Sequence, residues 1–182
     1  MQFVFLVTKK MNWYAAKIKN HTERRMKIWL EENEIEHFIP FRNVIVERNG
    51  KKFRKEKPFI SGLIFVRTEE KTALEIQEKL FAGKLNIRTF FLKNKNTRKL
   101  QIIPDKQMQD FIFMVDFSEE TIKIDATNLK QGDKVRIIKG DLAGIEGELI
   151  RIKGHKRVVV RLEGLFAMAT TYIPPSYLEK IG

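Results

Sequence analysis

Phe59-Ile60-Ser61-Gly62-Leu63-Ile64-Phe65-Val66 is the stretch on which the fold turns. Four apolar residues after a glycine read as a strand, and alternate side chains of a strand point to opposite faces. Leu63 and Phe65 therefore share one face, while Ile64 and Val66 share the other. Phe90, Phe91 and Leu92 have the same two-sided apolar character. Two or three helices cover one face of such a sheet. The other face is then an exposed apolar patch of the kind that binds protein, unless a third helix or a C-terminal barrel covers it.

Working outward, Trp13–Ile18 reads as a short strand. Thr22 stands where it can cap a helix over 23–33, whose buried stripe is Met26, Trp29 and Leu30. His37-Phe38-Ile39 leads into Pro40. Val44–Arg48, Asn49-Gly50 and Lys51–Arg54 form a hairpin pattern, because Asn-Gly supplies both positive-φ residues of a type I′ turn. Residues 69–81 have helical spacing, Arg88–Leu92 is a further strand, and Pro104 opens a helix carrying Met108, Phe111, Ile112 and Val115. The order β-α-β-β-α-β-α predicts an α+β sandwich, with helices packed on an antiparallel sheet.

Residues 116–130 have mixed polarity and little periodicity, and read as a linker. Beyond them come four short strand patterns, at 134–139, 148–153, 157–162 and 167–173. They are punctuated by Gly132, Gly140, Gly144, Gly147, Gly154 and Gly164, six of the chain's 10 glycines. This texture predicts a small β-barrel. The expected organisation is a sandwich domain over 1–115, the linker, and a barrel over 131–182.

The chain has 182 residues, 43% of them hydrophobic, enough for one large domain or two small ones. It has no cysteine, which excludes disulfides, a thiolate nucleophile and cysteine-based zinc sites. His21, His37 and His155 lie too far apart to suggest a metal site. With 35 Lys+Arg against 23 Asp+Glu the net charge is +12, which calls for an anionic partner, nucleic acid first. The charge is uneven: residues 1–115 carry 24 basic and 13 acidic residues, while 116–182 carry 11 and 10. The polyanion-binding half is therefore the N-terminal one.

No segment has the roughly 18 apolar residues needed to span a bilayer. The opening Met1–Lys10 has a short apolar run with its basic pair behind it, unlike a signal peptide. A cytoplasmic protein without membrane contact is expected. Met11 is an alternative start, with residues 1–10 then a weakly ordered extension.

Gly140-Asp-Leu-Ala-Gly144-Ile-Glu-Gly147 superficially resembles a phosphate loop. It precedes a strand, lacks a following Lys-Ser/Thr, and carries Asp141 and Glu146, which repel phosphate. Ser61, Ser118 and Ser176 are the only serines, and none lies in a nucleophile elbow. No cofactor or catalytic constellation is expected.

Two basic regions remain. Arg42–Lys57 holds seven basic residues and two acids, either an arm for a phosphate backbone or lysines protecting an exposed strand edge. Lys17, Lys19, Arg24 and Arg25 lie where the first strand passes into the first helix, near a helix N-terminus that attracts phosphate.

Taken together, the chain resembles the NusG family of transcription elongation factors over about residues 11–182. The likeness is carried by Asn12-Trp13-Tyr14, Ile39-Pro40, the basic hairpin, Phe59–Val66 with Ser61 in place of the usual proline, and Ile103-Pro104-Asp105. Lys134–Leu149 resembles the KOW motif, a strand, a Gly-x-x-x-Gly-x-x-Gly loop and a strand. The resemblance implies an amino-terminal NGN domain followed by an SH3-like KOW barrel. It implies a non-enzymatic factor that docks on RNA polymerase through an apolar sheet surface, for which Leu63 and Phe65 are the candidates. Specialised members also read non-template DNA, and the neighbourhood matches Lys17, Lys19, Asn20, Arg24 and Arg25, with Lys84 and Arg88 on the far side; nascent RNA is the other polyanion on offer. The family's barrel recruits a small-subunit ribosomal protein or a termination factor, which points to Leu142 and Phe166.

The Arg48-Asn-Gly-Lys-Lys52 hairpin, the Lys57–Arg67 stretch and the ending Tyr172–Leu178 look closer to specialised, operon-directed paralogues such as antiterminators of polysaccharide operons than to the general factor. The other reading is an RNA-binding or ribosome-associated KOW protein independent of polymerase.

Overall fold

A computed structural model of the chain describes residues 10–83, 85–116, 121–124, 132–152, 154–162 and 165–182. Its contacts divide the chain into two units, Met1–Ile39 with Ile60–Ile102, and Pro40–Phe59 with Ile103–Gly182.

In the first unit, β1 (Asn12–Ile18) leads to α1 (Glu23–Glu32) and the two-residue β2 (His37–Phe38). After the excursion of the hairpin come β5 (Leu63–Thr68), α2 (Glu70–Ala82) and β6 (Thr89–Phe91). The strands lie antiparallel in the order β2-β5-β1-β6. Central placement explains why β1 and β5 read as continuous apolar runs. Trp13, Tyr14, Ala15, Ala16 and Ile18 of β1 are buried, and so are Leu63, Ile64, Phe65 and Val66 of β5. The helices contribute Met26 and Leu30, and Ala73, Ile76 and Leu80, at the spacing of one helical face. Gln77 of α2 is tied to the sheet, since its Oε1 accepts from the Phe91 amide at 3.1 Å.

Leu63 and Phe65 were expected on an exposed apolar patch. They are instead 5% and 0% exposed, and the residues on the opposite face of β5 are equally buried. Phe38 lies beside Phe65, with ring centroids 6.4 Å apart.

The second unit holds the hairpin β3 (Phe41–Arg48) and β4 (Lys51–Pro58), a two-stranded sheet of its own. Its apex is the expected Asn-Gly turn, with φ of 52° at Asn49 and 71° at Gly50. The two-residue β7 (Ile102–Ile103) falls where the first unit gives way to the second, and α3 (Asp105–Asp116) follows it. The remaining strands are β8 (Thr121–Ile124), β9 (Asp133–Ile137), β10 (Glu146–Ile152), β11 (His155–Leu162), β12 (Phe166–Thr170) and β13 (Leu178–Lys180). They form an antiparallel sheet in the order β13-β9-β10-β11-β12-β8. Ile150, Val159, Ala167 and Ala169 are a buried cluster within it.

Thr121–Ile124 falls inside the stretch read as a linker, yet it pairs with β12 from Ala167↔Ile124 to Thr170↔Thr121. Its alternation Thr-Ile-Lys-Ile suits an edge strand, but four residues are too few to stand out in sequence. The third helix also differs from the expected division at residue 115. Its contacts group it with the C-terminal sheet, where it packs against β11 and β12. Phe111 meets Phe166 edge-on, with centroids 5.2 Å apart at 70°. Lys106 donates both to Asp110 and to the Gly144 carbonyl, and the other Asp110 oxygen accepts from the Glu146 amide at 3.3 Å. Burial pushes the Asp110 carboxyl above its ordinary pKa, against the opposing pull of Lys106.

The chain is thus a mixed α/β region followed by a β-rich region, the fold class expected from the order of patterns. Among the described residues, no helix is long and apolar enough to cross a membrane.

Candidate nucleic-acid interface

Lys17 and Lys19 at the end of β1, Arg24 and Arg25 in the first turn of α1, and Arg88 just before β6 lie on segments that meet at one end of the first unit's sheet. The chain leaves β1 at Ile18 and turns at once into α1 through Lys19, Asn20 and His21. Asn20 and His21 have φ of 65° and 52°. Asparagine tolerates this left-handed region; two such residues in succession make the turn tight. Thr22 helps close it and occupies the expected N-cap position of α1, without capping the helix through its side chain. Its hydroxyl donates to the Lys19 carbonyl at 2.9 Å and makes no side-chain bond to the helix amides.

Glu23 takes over the anchoring. It is 3% exposed, and its Oε1 accepts from the Gly62 amide at 2.8 Å and from the Ser61 hydroxyl at 3.4 Å. The loop before β5 is thereby fastened to the first turn of α1. Gly62 is required there. Its φ is 70°, and a Cβ would lie 2.8 Å from the Ile18 carbonyl oxygen.

This turn sets Lys19 beside β6. The Lys19 amide donates to the Arg88 carbonyl at 3.2 Å, and Lys17 is directly opposite Phe90 in the β1–β6 register. The Lys19 ammonium stands 5.7 Å from the centroid of the Phe90 ring, within cation–π range. Phe90 is 47% exposed, which is unusual for a phenylalanine in a strand. On the helix side, Arg25 donates to the Leu85 carbonyl at 2.8 Å and so pins the chain after α2 against α1.

Lys17, Lys19, Asn20, Arg24, Arg25 and Arg88 are all exposed. Lys17 is opposed to the accessible Phe90 ring and Lys19 stands over it, while Arg25 is bonded to the loop that leads into β6 and Arg88 lies two residues before the ring in sequence. Lys84 lies outside the described residues. Cations around an aromatic face combine phosphate attraction with a surface on which a base can stack. The sequence places Phe90 among the two-sided apolar residues of a sheet with one face open to a protein partner, and gives it no part in nucleic-acid binding. Its signal was the register, which pairs it with Lys17 and was not available before β1 and β6 were aligned.

The apolar candidates behave otherwise. Leu63 and Phe65 are buried as described, and Leu142 and Phe166 of the C-terminal sheet are 3% and 7% exposed. Phe166 is occupied by its contact with Phe111. Among the described residues, no group of three or more His, Asp or Glu side chains could hold a metal ion.

The family model described as transcription termination factor NusG matches residues 11–112, and the chain belongs to the NusG family. It is 24% identical over 153 residues to the transcription termination/antitermination protein NusG of Streptococcus pyogenes serotype M3, spanning 84% of this chain and 82% of that protein. The NusG of S. pyogenes serotype M1 matches to the same extent. A solved structure described as domain interaction in Thermotoga maritima NusG is 18% identical, covers 95% of this chain and 98% of its own, and superposes with a TM-score of 0.47. The chain is a NusG-like transcription termination/antitermination factor.

Proposed function

We propose that this chain is an antiterminator for particular operons, which attaches to RNA polymerase and holds a nucleic-acid strand at the β1–α1–β6 rim. Lys17, Lys19, Arg24, Arg25 and Arg88 attract the phosphates and Phe90 offers a stacking face. The observation that carries this reading is the exposed Phe90 ring with the Lys19 ammonium above it. The strand bound is non-template DNA or nascent RNA.

Leu63 and Phe65 are the polymerase contact, with the NGN domain over 1–115 and the KOW domain over 131–182. Because both side chains are buried, this role requires that they be uncovered when polymerase binds. Leu142 and Phe166 serve in the same conditional way for a ribosomal protein or a termination factor. The factor acts by binding, favouring the elongating state of polymerase over paused states.

Transcription in vitro across a terminator, with and without the protein, tests the reading. Read-through is expected to rise, and to fall back with Lys19→Gln/Arg88→Gln. A protein that binds RNA but neither co-elutes with polymerase nor changes read-through is a polymerase-independent RNA binder, and the proposal fails.

A further inference from the structure

The hairpin that interrupts the first unit carries seven basic residues, and the register separates them by face. In an antiparallel pair, directly opposed residues project to the same side. Arg42↔Lys57, Val44↔Lys55, Val46↔Phe53 and Arg48↔Lys51 make one face; Phe41↔Pro58, Asn43↔Glu56, Ile45↔Arg54 and Glu47↔Lys52 make the other. The first face has Arg42, Arg48, Lys51, Lys55 and Lys57 and no carboxylate. The second has Lys52 and Arg54 balanced by Glu47 and Glu56. All five cations of the first face are exposed, with Phe53 at 44% exposure between them.

Edge protection does not require this division. A lysine blocks strand addition from either face, whereas the observed pattern opposes Arg42 to Lys57 and Arg48 to Lys51. Like charges directly across a two-stranded ribbon cost stability, and such a ribbon has little to spare. A polyanion laid against the face removes that repulsion.

The shape narrows the choice of polyanion. Two strands of eight residues form a ribbon about 26 Å long. The roughly 12 Å wide major groove of B-form DNA admits such a ribbon, while the A-form groove of duplex RNA is too narrow. A single strand would want several stacking rings, and this face has only Phe53.

We propose that the β3–β4 hairpin is a second nucleic-acid arm that enters the major groove of duplex DNA, with Arg42, Arg48, Lys51, Lys55 and Lys57 toward the phosphates that line it. The arm does not depend on the β1–α1–β6 rim. Arg42 also stacks on Phe59, 5.2 Å from the ring centroid, which holds the base of the arm.

The test removes equal charge from the two faces of the full-length protein. Lys51→Gln/Lys55→Gln alters the basic face and Lys52→Gln/Arg54→Gln the balanced one. Binding to a mixed-sequence 20-base-pair DNA duplex is followed by fluorescence anisotropy over a salt series. The first variant is expected to weaken binding about fivefold or more at low salt and to reduce the log–log salt slope by about 1.8. The second is expected to change the affinity less than about twofold. Circular dichroism should show all three proteins folded, with the melt of the first variant shifted slightly up, because Lys51→Gln relieves the repulsion from Arg48, and that of the second slightly down, because Lys52→Gln loses the attraction of Glu47.

Equal losses from both faces would overturn the proposal, as would no duplex binding by the unaltered protein. Tighter binding of the matching single strand or RNA duplex overturns the choice of DNA. If neither hairpin variant has an effect while Lys17→Gln/Arg88→Gln weakens single-strand binding, the arm falls and the rim reading stands.

Discussion

Charged and apolar candidate residues meet opposite fates in this molecule. Lys17, Lys19, Arg24, Arg25 and Arg88 stand in solvent, whereas Leu63, Phe65, Leu142 and Phe166 are all at most 7% exposed. The difference follows from solvation. A cation left in water costs nothing to keep ready, but an exposed apolar patch is unfavourable and invites association. The proposed rim would therefore engage a polyanion with the protein as it stands. Any partner of the apolar residues must first uncover them, and part of its binding free energy goes into that step.

Substitution of the buried set gives the largest effects and the clearest way to break the contrast. Leu63→Asp/Phe65→Asp places two carboxylates among fully packed neighbours, and is expected to unfold the first unit in thermal melts. The milder Phe65→Ala should cost about 3–5 kcal/mol by denaturant titration. A loss below about 1 kcal/mol would mean that Phe65 is not sequestered in solution. Phe166→Ala comes next, at about 3 kcal/mol, because it empties one side of the edge-on pair with Phe111. Its effect should appear as faster amide exchange in α3 and β12.

The exposed set should respond in the opposite manner. Lys17→Gln/Lys19→Gln/Arg88→Gln is expected to leave stability within about 0.5 kcal/mol. It should lower the salt slope for single-stranded nucleic acid by about 2, at roughly 0.7 per charge. A change in melting temperature without a change in slope would make these residues structural.

Asp110→Asn sharpens the comparison at the smallest scale, because Asp110 is a charged residue with the burial of an apolar one. Its pKa is raised in the packed state, chiefly by desolvation. Its contribution to stability is therefore greatest in acid, below the ordinary carboxylate value, and is lost as pH rises through the raised one. Asparagine has no such dependence. The variant should match or slightly exceed the parent at neutral pH, and the difference should shift in favour of the parent on acidification, as read from melting temperatures across that window.

Much of the fold could be read locally. Asn49-Gly50 announced the hairpin because a type I′ turn is specified by its own two residues. Pro104 and the spacing of Met108, Phe111 and Val115 announced α3 in the same way, and the strand patterns of the C-terminal sheet lie within a few residues of the observed strands. Three features depend on distant partners and could not be read so. The burial of Leu63 and Phe65 is decided by what covers the sheet. Thr22 was offered the helix amides as partners but bonds back to Lys19, while Glu23 reaches across 39 positions to Gly62. The Phe90 ring became part of a site only when register set it against Lys17 and brought the Lys19 ammonium over it.

The pairing of the hairpin also bears on how such an arm changes through descent. Each cation of its basic face can be exchanged for the other basic residue without altering which side is charged. A single inserted residue is different, because strand periodicity is two. Placed after Lys52, it would carry Lys55 and Lys57 to the far side and bring Arg54 and Glu56 into their stead, unless a bulge absorbed it. The total charge would be untouched. Lineages of this arm should therefore drift freely in residue identity while keeping the length of each strand fixed.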